Sequence, residues 1–295
     1  MHFSTSLLSS IAAICATANG AALTLVPEGW GANPTALEMN IYVPDTLATK
    51  PPIILALHQC GGSGPGYARM YQYNNLADQK GFIVIYPTTK KDNNCWEVNT
   101  AKGLSRDAGG DNQGLAGMIR YTIQKYNADP ARVFVTGSSS GCMMTNVMMA
   151  TYPDLFAAAT CYSGVAAGCI AGSPGASPST ADPRCANGQV IKSQAEWVAQ
   201  ARAMFPSFKA EYPRFMTYHG TADTLVTYPN LGEQLKQWSG LLGVSFTRNI
   251  TNTPQNQYTE MIYGDGTKLI GVSCQGTAHW VPPHETEDLK WFRIN

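Results

Sequence analysis

Charge is what this sequence has least of. Only 14% of its 295 residues are charged, against about a quarter in an average soluble domain. Lys+Arg and Asp+Glu number 20 each, so the formal net charge is zero. Without a basic surplus the chain cannot hold a polyphosphate backbone by counterion release, which excludes nucleic acid as a partner. Past residue 22 no apolar run approaches the roughly 18–20 residues that a spanning helix needs, and no membrane partner is expected. The cysteines form no CxxC pair and the histidines no cluster, so metal-ligand spacing is missing and no cofactor is expected. There is no internal repeat, and no linker long enough to divide the chain. What remains is one domain, and its 44% hydrophobic content excludes a disordered one.

Residues 1–20 read as a signal peptide. Leu7-Leu8 through Cys15-Ala16 form an apolar run too brief for a bilayer, ending in Ala16-Thr17-Ala18, with a second cut point near Gly20-Ala21. A buried N-terminal strand or helix is the competing reading. Export leaves residues 21–295 as the mature domain and makes the protein extracellular. Removing Cys15 from the eight cysteines leaves seven, which in an oxidising compartment read as disulfides. Cys169 and Cys185 bracket Ala171–Pro178, a loop with no periodicity to hold it, and a bridge there would restrain it. Cys60 and Cys95 each follow a strand-like run and could tie two loops at one sheet edge. Seven is odd, so at least one thiol is free unless it pairs between chains. Asn249-Ile250-Thr251 is an N-glycosylation acceptor that would sit on the surface.

The apolar runs Ile53–Leu57, Phe82–Tyr86, Val133–Val135 and Phe215–Tyr218 are continuous rather than alternating, as a sheet covered on both faces demands. Helix-like stretches lie between them, at Tyr67–Gln79, Gly114–Tyr126, Cys142–Thr151 and Leu231–Ser239. Leu37–Val43 alternates strictly and predicts an antiparallel strand, with Glu38, Asn40 and Tyr42 on its wetter face. Strand and helix in turn over most of the chain predict a doubly wound, mostly parallel α/β sheet.

The chemistry gathers where those strands end. Val133–Thr136 runs into Gly137-Ser138-Ser139-Ser140-Gly141, and a helical pattern follows at once. This is GxSxG in strand–turn–helix context, where the glycines permit a sharp turn that lifts the central hydroxyl above the sheet. In a sequence with 28 glycines the bare motif is weak, and its setting carries the argument. Ser139 is the candidate nucleophile.

A serine hydroxyl needs a base within hydrogen-bond reach. Among the five histidines, His2 lies in the signal segment, His58 and His219 close strands, and His284 falls beside the C-terminal helix. His279 sits on a loop after the apolar strand Leu269–Ser273, which suits the chain order Ser, acid, His of α/β hydrolases. The acid must lie between them, and Asp223 follows strand Arg214–Tyr218 within a few residues; a loop-capping Asx turn is its plainer reading. For the oxyanion, one donor is the backbone N–H of Ser140, next after the nucleophile. The other comes from His58-Gln59-Cys60-Gly61-Gly62, where the Cys60 N–H is assigned.

At these residues the chain resembles the fungal secreted esterases of carbohydrate esterase family 1. This polyhydroxybutyrate-depolymerase-like group holds acetylxylan esterases and type B feruloyl esterases. The resemblance spans nearly the whole mature chain and rests on Ile41–Pro44, His58–Gly62, Gly81–Pro87, Gly137–Gly141, Met144–Val147, His219–Asp223 and Tyr263–Gly266. It implies an α/β-hydrolase fold, a Ser139–His279–Asp223 triad, an oxyanion hole from the amides of Cys60 and Ser140, and acylated xylan or xylo-oligosaccharide as substrate. One departure is Gly276-Thr277-Ala278-His279, where relatives tend to read Gly-Val-Gly-His. The pairing of Cys142, Cys161 and Cys274 is left unassigned.

For the acyl group, the candidate walls are Trp96, Tyr162, Trp280 and the loop Cys169–Cys185. Acetylxylan esterases of the group tend to place a bulky aromatic in that loop, and here it has none, which favours a roomier pocket and a feruloyl ester. Acetylxylan esterase is the alternative. Polyester depolymerase, lipase or a silent sugar-binding relative are more distant ones, and the absence of a long apolar lid argues against lipase. The protein is expected as a monomer.

Overall fold

A computed structural model describes residues 21–295, and the expected signal segment, residues 1–20, lies outside the described residues. Among the described residues ten strands form one sheet: β1 (Leu23–Val26), β2 (Glu38–Tyr42), β3 (Ile53–Leu57), β4 (Ile83–Thr88), β5 (Val133–Gly137), β6 (Ala158–Tyr162), β7 (Arg214–Gly220), β8 (Phe246–Thr251), β9 (Tyr258–Tyr263) and β10 (Leu269–Cys274). Their order is β1-β2-β4-β3-β5-β6-β7-β10-β9-β8. The central run from β4 to β10 is parallel, and an antiparallel pair flanks it on each side.

The helices are α1 (Gly64–Met70), α2 (Tyr73–Lys80), α3 (Asp111–Tyr126), α4 (Ser140–Thr151), α5 (Pro183–Ala186), α6 (Gln194–Ala203), α7 (Pro229–Leu242) and α8 (Glu285–Phe292). They cover both faces, so the central strands bury both sets of side chains. Ile53, Leu55 and Leu57 of β3 share a core with Leu115 and Met118 of α3, Val147 of α4 and Leu235 of α7. Ile54 and Ala56 of the same strand face Tyr67 of α1, Ala77 of α2 and Phe292 of α8. Fully burying one such side chain contributes about 1.5–3 kcal/mol, which is why the run is unbroken.

The sheet differs from expectation at two places. The stretch Tyr67–Gln79 is two helices, because Tyr71 turns extended at φ −124° and ends α1. The wetter face expected for Leu37–Val43 is largely closed. Asn40 and Tyr42 are buried, since α2 packs over β2 and Tyr42 Oη donates to Asp78 Oδ1 at 2.8 Å. Asn249, of the N-glycosylation triplet, lies on edge strand β8, whose six residues are all exposed.

The second face holds one buried carboxyl. Asp288 of α8 is fully buried and takes the hydroxyl of Tyr162 at 2.6 Å and that of Tyr73. Burial pushes it up to about 7 from the ordinary 3.8, against the pull of the tyrosine donors. Between those values the folded chain binds a proton that the unfolded chain has released, so stability falls as pH climbs from the lower value to the upper. Asp288→Asn is expected to flatten that fall in melting temperature measured against pH. An unchanged slope would remove Asp288 as its source.

Candidate active site

The centre of the parallel sheet sets the site. At the end of β5 the chain turns at Ser139, whose φ of +54° and ψ of −119° are costly for a residue with a Cβ, and α4 begins at Ser140. Such strain is held only where the surroundings over-determine it. Here they do: Ser139 N–H donates to Tyr162 O at 2.8 Å, and Gly141 N–H to Ser138 O at 2.9 Å. The glycines allow the backbones to touch. A Cβ on Gly141 would lie 2.1 Å from the Leu57 carbonyl oxygen, and one on Gly137 2.5 Å from the Gly141 carbonyl carbon.

The other two residues arrive on loops after β7 and β10, which are parallel neighbours. The loops are sewn together: Thr221 N–H donates to Cys274 O at 3.0 Å, Ala222 N–H to Thr277 O at 3.0 Å, and Gly276 N–H to Thr221 Oγ1 at 2.8 Å. His279 Nε2 then stands 2.8 Å from Ser139 Oγ, and His279 Nδ1 stands 2.8 Å from Asp223 Oδ2. The imidazole is buried and the carboxylate more so. Asp223 Oδ1 accepts the N–H groups of Leu225 and Val226, each at 2.9 Å. Burial alone would push Asp223 up, but donors from His219, His279 and the Val226 amide outweigh it and hold the carboxylate well below its usual range.

His219 is a contact that the sequence did not announce. Its Nε2 lies 2.7 Å from Val226 O, which can only accept, so Nε2 carries the proton and also points at Asp223 Oδ2, 3.3 Å away. The spacing of four residues in His219–Asp223 was visible, but nothing in it distinguished a partner of the acid from a strand-closing histidine.

His58 shapes its loop. Its Nδ1–H donates to Gln59 O at 2.7 Å, and burial lowers its pKa to about 4, so it stays neutral. That loop carries Cys60, bridged to Cys95. Ser140 is the first residue of α4, where backbone N–H groups lack helical partners, and its Oγ accepts Trp96 N–H at 2.9 Å. Further disulfides join Cys142 to Cys161 and Cys169 to Cys185, and among the described residues Cys274 is free and buried. No group of three or more potential metal ligands gathers among the described residues.

Beside Ser139 lies a cavity of about 300 Å³, lined by Cys60, Met143, Val165, Ile170, Pro178 and Val226 among others. Trp280 stands on its rim, 55% exposed, with its ring next to that of His279. Trp96 and Tyr162 do not reach it, which corrects their expected role as walls. Both are fully buried and committed elsewhere: Trp96 Nε1–H donates to His58 O at 2.8 Å, and Tyr162 bonds Asp288 beneath the sheet. The loop Cys169–Cys185 does line the cavity, through Ile170 and Ala176–Pro178, whereas Met143, Val165 and Leu225 were missed because ordinary apolar residues in helices and loops carry no mark of the surface they will line.

Comparison with known proteins agrees with this architecture. Residues 37–191 match the family described as Esterase PHB depolymerase. Feruloyl esterase B of Neurospora crassa is 49% identical over 266 residues, covering 90% of each chain. Acetylxylan esterase A of Aspergillus awamori is 44% identical over 266 residues, covering 89% of this chain and 86% of that one. The solved acetyl xylan esterase from Aspergillus awamori superposes with a TM-score of 0.87 at 43% identity, over 93% of this chain and all of that one. The fold is that of the α/β hydrolases.

The approach of Gly141 to β3 yields a test. Gly141→Ala would drive a methyl group into the Leu57 and His58 carbonyls, neither of which can yield without moving β3. It is expected to destabilise the fold by roughly 3 kcal/mol, read as a lowered melting temperature. A wild-type melting temperature would show that the elbow is free to relax.

Proposed function

The chain belongs to the Esterase PHB depolymerase family and is a carboxylic ester hydrolase, and from that premise we propose a secreted serine esterase that removes acyl groups from xylan, with feruloyl esters preferred. The observation that carries this reading is the unbroken contact from Asp223 through His279 to Ser139, two steps of 2.8 Å each, opening onto an apolar cavity.

Ser139 Oγ attacks the ester carbonyl carbon while His279 Nε2 takes its proton, and Asp223 stabilises the imidazolium. The N–H groups of Ser140 and Cys60 receive the developing oxyanion. Collapse breaks the bond to the alcohol, which leaves with the proton from His279. Water, deprotonated by the same imidazole, then releases the acid and restores Ser139. Each oxyanion donor of this kind contributes about 2.7–4 kcal/mol to transition-state stabilisation.

The acyl preference rests on the cavity. Acetate needs room for one methyl group, and a void of about 300 Å³ with apolar walls leaves space for an aromatic ring. The segment Cys169–Cys185 contributes Ile170, Ala176, Ser177, Pro178, Ala181 and Asp182 to it besides Cys185, with no aromatic ring among them. Trp280, half-exposed at the mouth, is assigned to the alcohol side, where its face can lie against a sugar ring. Acetyl is the second reading, favoured by the likeness to the solved acetyl xylan esterase. Three disulfides suit an oxidising compartment and support export.

Ser139→Ala is expected to lower kcat on methyl ferulate by about 10⁴-fold or more with an unchanged melting temperature. Residual turnover near wild type would end the serine mechanism. Wild-type enzyme is expected to hydrolyse methyl ferulate faster than acetylated xylan at matched concentration, and the reverse ranking would move the assignment to acetate.

A further inference from the structure

One side chain joins the two loops that frame the site. Asp92, Asn93 and Asn94 run consecutively through left-handed backbone, at φ +46°, +57° and +55°. Asn and Asp tolerate this region better than other residues with a Cβ, yet three in a row persist only where contacts hold them.

One side of this turn grips the loop that carries Cys60. Asn93 O accepts Gly61 N–H at 2.8 Å, Asn94 Nδ2 donates to Gly62 O at 2.8 Å, and the Cys60–Cys95 bridge closes the pair. The other side grips the cavity wall. Asp92 Oδ2 accepts Ala176 N–H at 2.5 Å and Ser177 N–H at 2.9 Å, and Thr180 Oγ1 donates to Asp92 Oδ1 at 2.8 Å. Ser177 is fully buried, so its amide has no easy replacement in water. Gly175 is needed by the same contact: a Cβ there would meet Thr180 Oγ1 at 2.0 Å and Asp92 Oδ2 at 2.8 Å. Burial would push the Asp92 carboxyl up, but these amide and hydroxyl donors keep it below its usual range, so it is charged at neutral pH.

Ala176, Ser177 and Pro178 line the cavity beside Ser139, and they lie in a segment without helix or strand. The bridge between Cys169 and Cys185 fixes the ends of that segment, Asn99 holds Gly172 and Ser173, and the stretch that lines the cavity is left to Asp92. We propose that Asp92 is a specificity-determining positioning residue, which holds the Ala176–Pro178 wall at a fixed distance from the Cys60 loop and so sets how bulky an acyl group the cavity accepts. The inference rests on the cavity being the acyl pocket of a Ser139 esterase. Asp92 touches neither the acyl carbon nor the triad, and its effect belongs in KM for large acyl groups.

The test compares esters that differ only in acyl size. Asp92→Ala is expected to raise KM for methyl ferulate about tenfold with kcat within about threefold, and to leave kcat/KM for p-nitrophenyl acetate within about twofold. Asp92→Asn, which keeps one acceptor oxygen, is expected to fall between. Should Asp92→Ala fail to fold, Thr180→Val removes one donor on the exposed side of the same contact and is expected to shift the same ratio in the same direction.

Equal losses on both esters, or a loss confined to kcat, would overturn the proposal and place Asp92 in the support of the Cys60 loop alone. An unchanged KM for ferulate would overturn it outright. Labelling of Ser139 by a fluorophosphonate separates this outcome from failure of the esterase reading. If labelling and acetate turnover stand but ferulate is not hydrolysed, the ratio is read on p-nitrophenyl acetate, butyrate and octanoate. A selectivity that does not change with chain length in Asp92→Ala then counts against the proposal.

Discussion

A carboxylate withdrawn from water stays charged only if enough donors replace the water, and the site of this protein is built around that constraint at Asp223. Its two oxygens receive two backbone amides and face two imidazoles. The amides come from the turn that Asp223 itself opens, the first imidazole from the strand before it, and the second from the neighbouring strand's loop. Asp223 therefore ties β7 to the loop after β10. His279 can hold its orientation toward Ser139 because its Nδ1 is occupied. Under the proposed mechanism the charge that stabilises the imidazolium is present before the substrate arrives, so no reorganisation is needed during reaction.

Asp288 shows what happens with fewer donors. It is fully buried on α8 against one face of the sheet, and it meets two tyrosine hydroxyls but no backbone amide and no imidazole. There desolvation dominates and the group is pushed up, whereas at Asp223 the donors dominate and it is held down. Two aspartates in one fold are thus shifted in opposite directions, by how fully each is withdrawn from water and by what points at it. Asp288 pins α8 and α2 to β6, and Asp223 serves the site.

Much of this was legible in the sequence, for physical reasons. Strands β3, β4, β5 and β7 were visible because a sheet covered on both faces requires unbroken apolarity. The turn at Ser139 was visible because only glycine fits where β5, β3 and α4 touch. His279 and Asp223 were found from their places after strands, an inference about chain order. Helix α6 was overlooked although Ser193 and Glu196 form a capping box at its start. Its apolar residues, mostly alanines, are spread around the helix rather than gathered on one face, so periodicity had little to detect. The hairpin of β8 and β9 was overlooked because every residue of β8 is exposed and its pattern is polar. Trp96 and Tyr162 were misassigned for the opposite reason. A large aromatic near a site motif suggests a substrate wall, yet each has a polar atom that finds its partner in the interior.

The loops above the sheet pose a different problem, since no periodic burial orders them. Closing the Cys169–Cys185 loop, a separation of 16 residues, removes about 3 kcal/mol of chain entropy from the unfolded state by the usual loop-closure argument. That constraint acts on the two ends. A segment of Gly, Ala, Ser and Pro between them still has many arrangements of similar energy, and a cavity wall made of it would have no fixed position. A single charged acceptor that collects two adjacent amides and a hydroxyl selects one arrangement, because any other leaves a buried amide unpaired. The acceptor carboxylate must itself be immobile for this to work, and Asp92 is held by the left-handed turn that also grips the Cys60 loop. The wall of the cavity and the amide assigned to the oxyanion are therefore positioned from one piece of backbone by separate contacts. The wall is held through the Asp92 side chain and the amide's loop through Asn93, Asn94 and the Cys60–Cys95 bridge, so the wall can move while the amide stays.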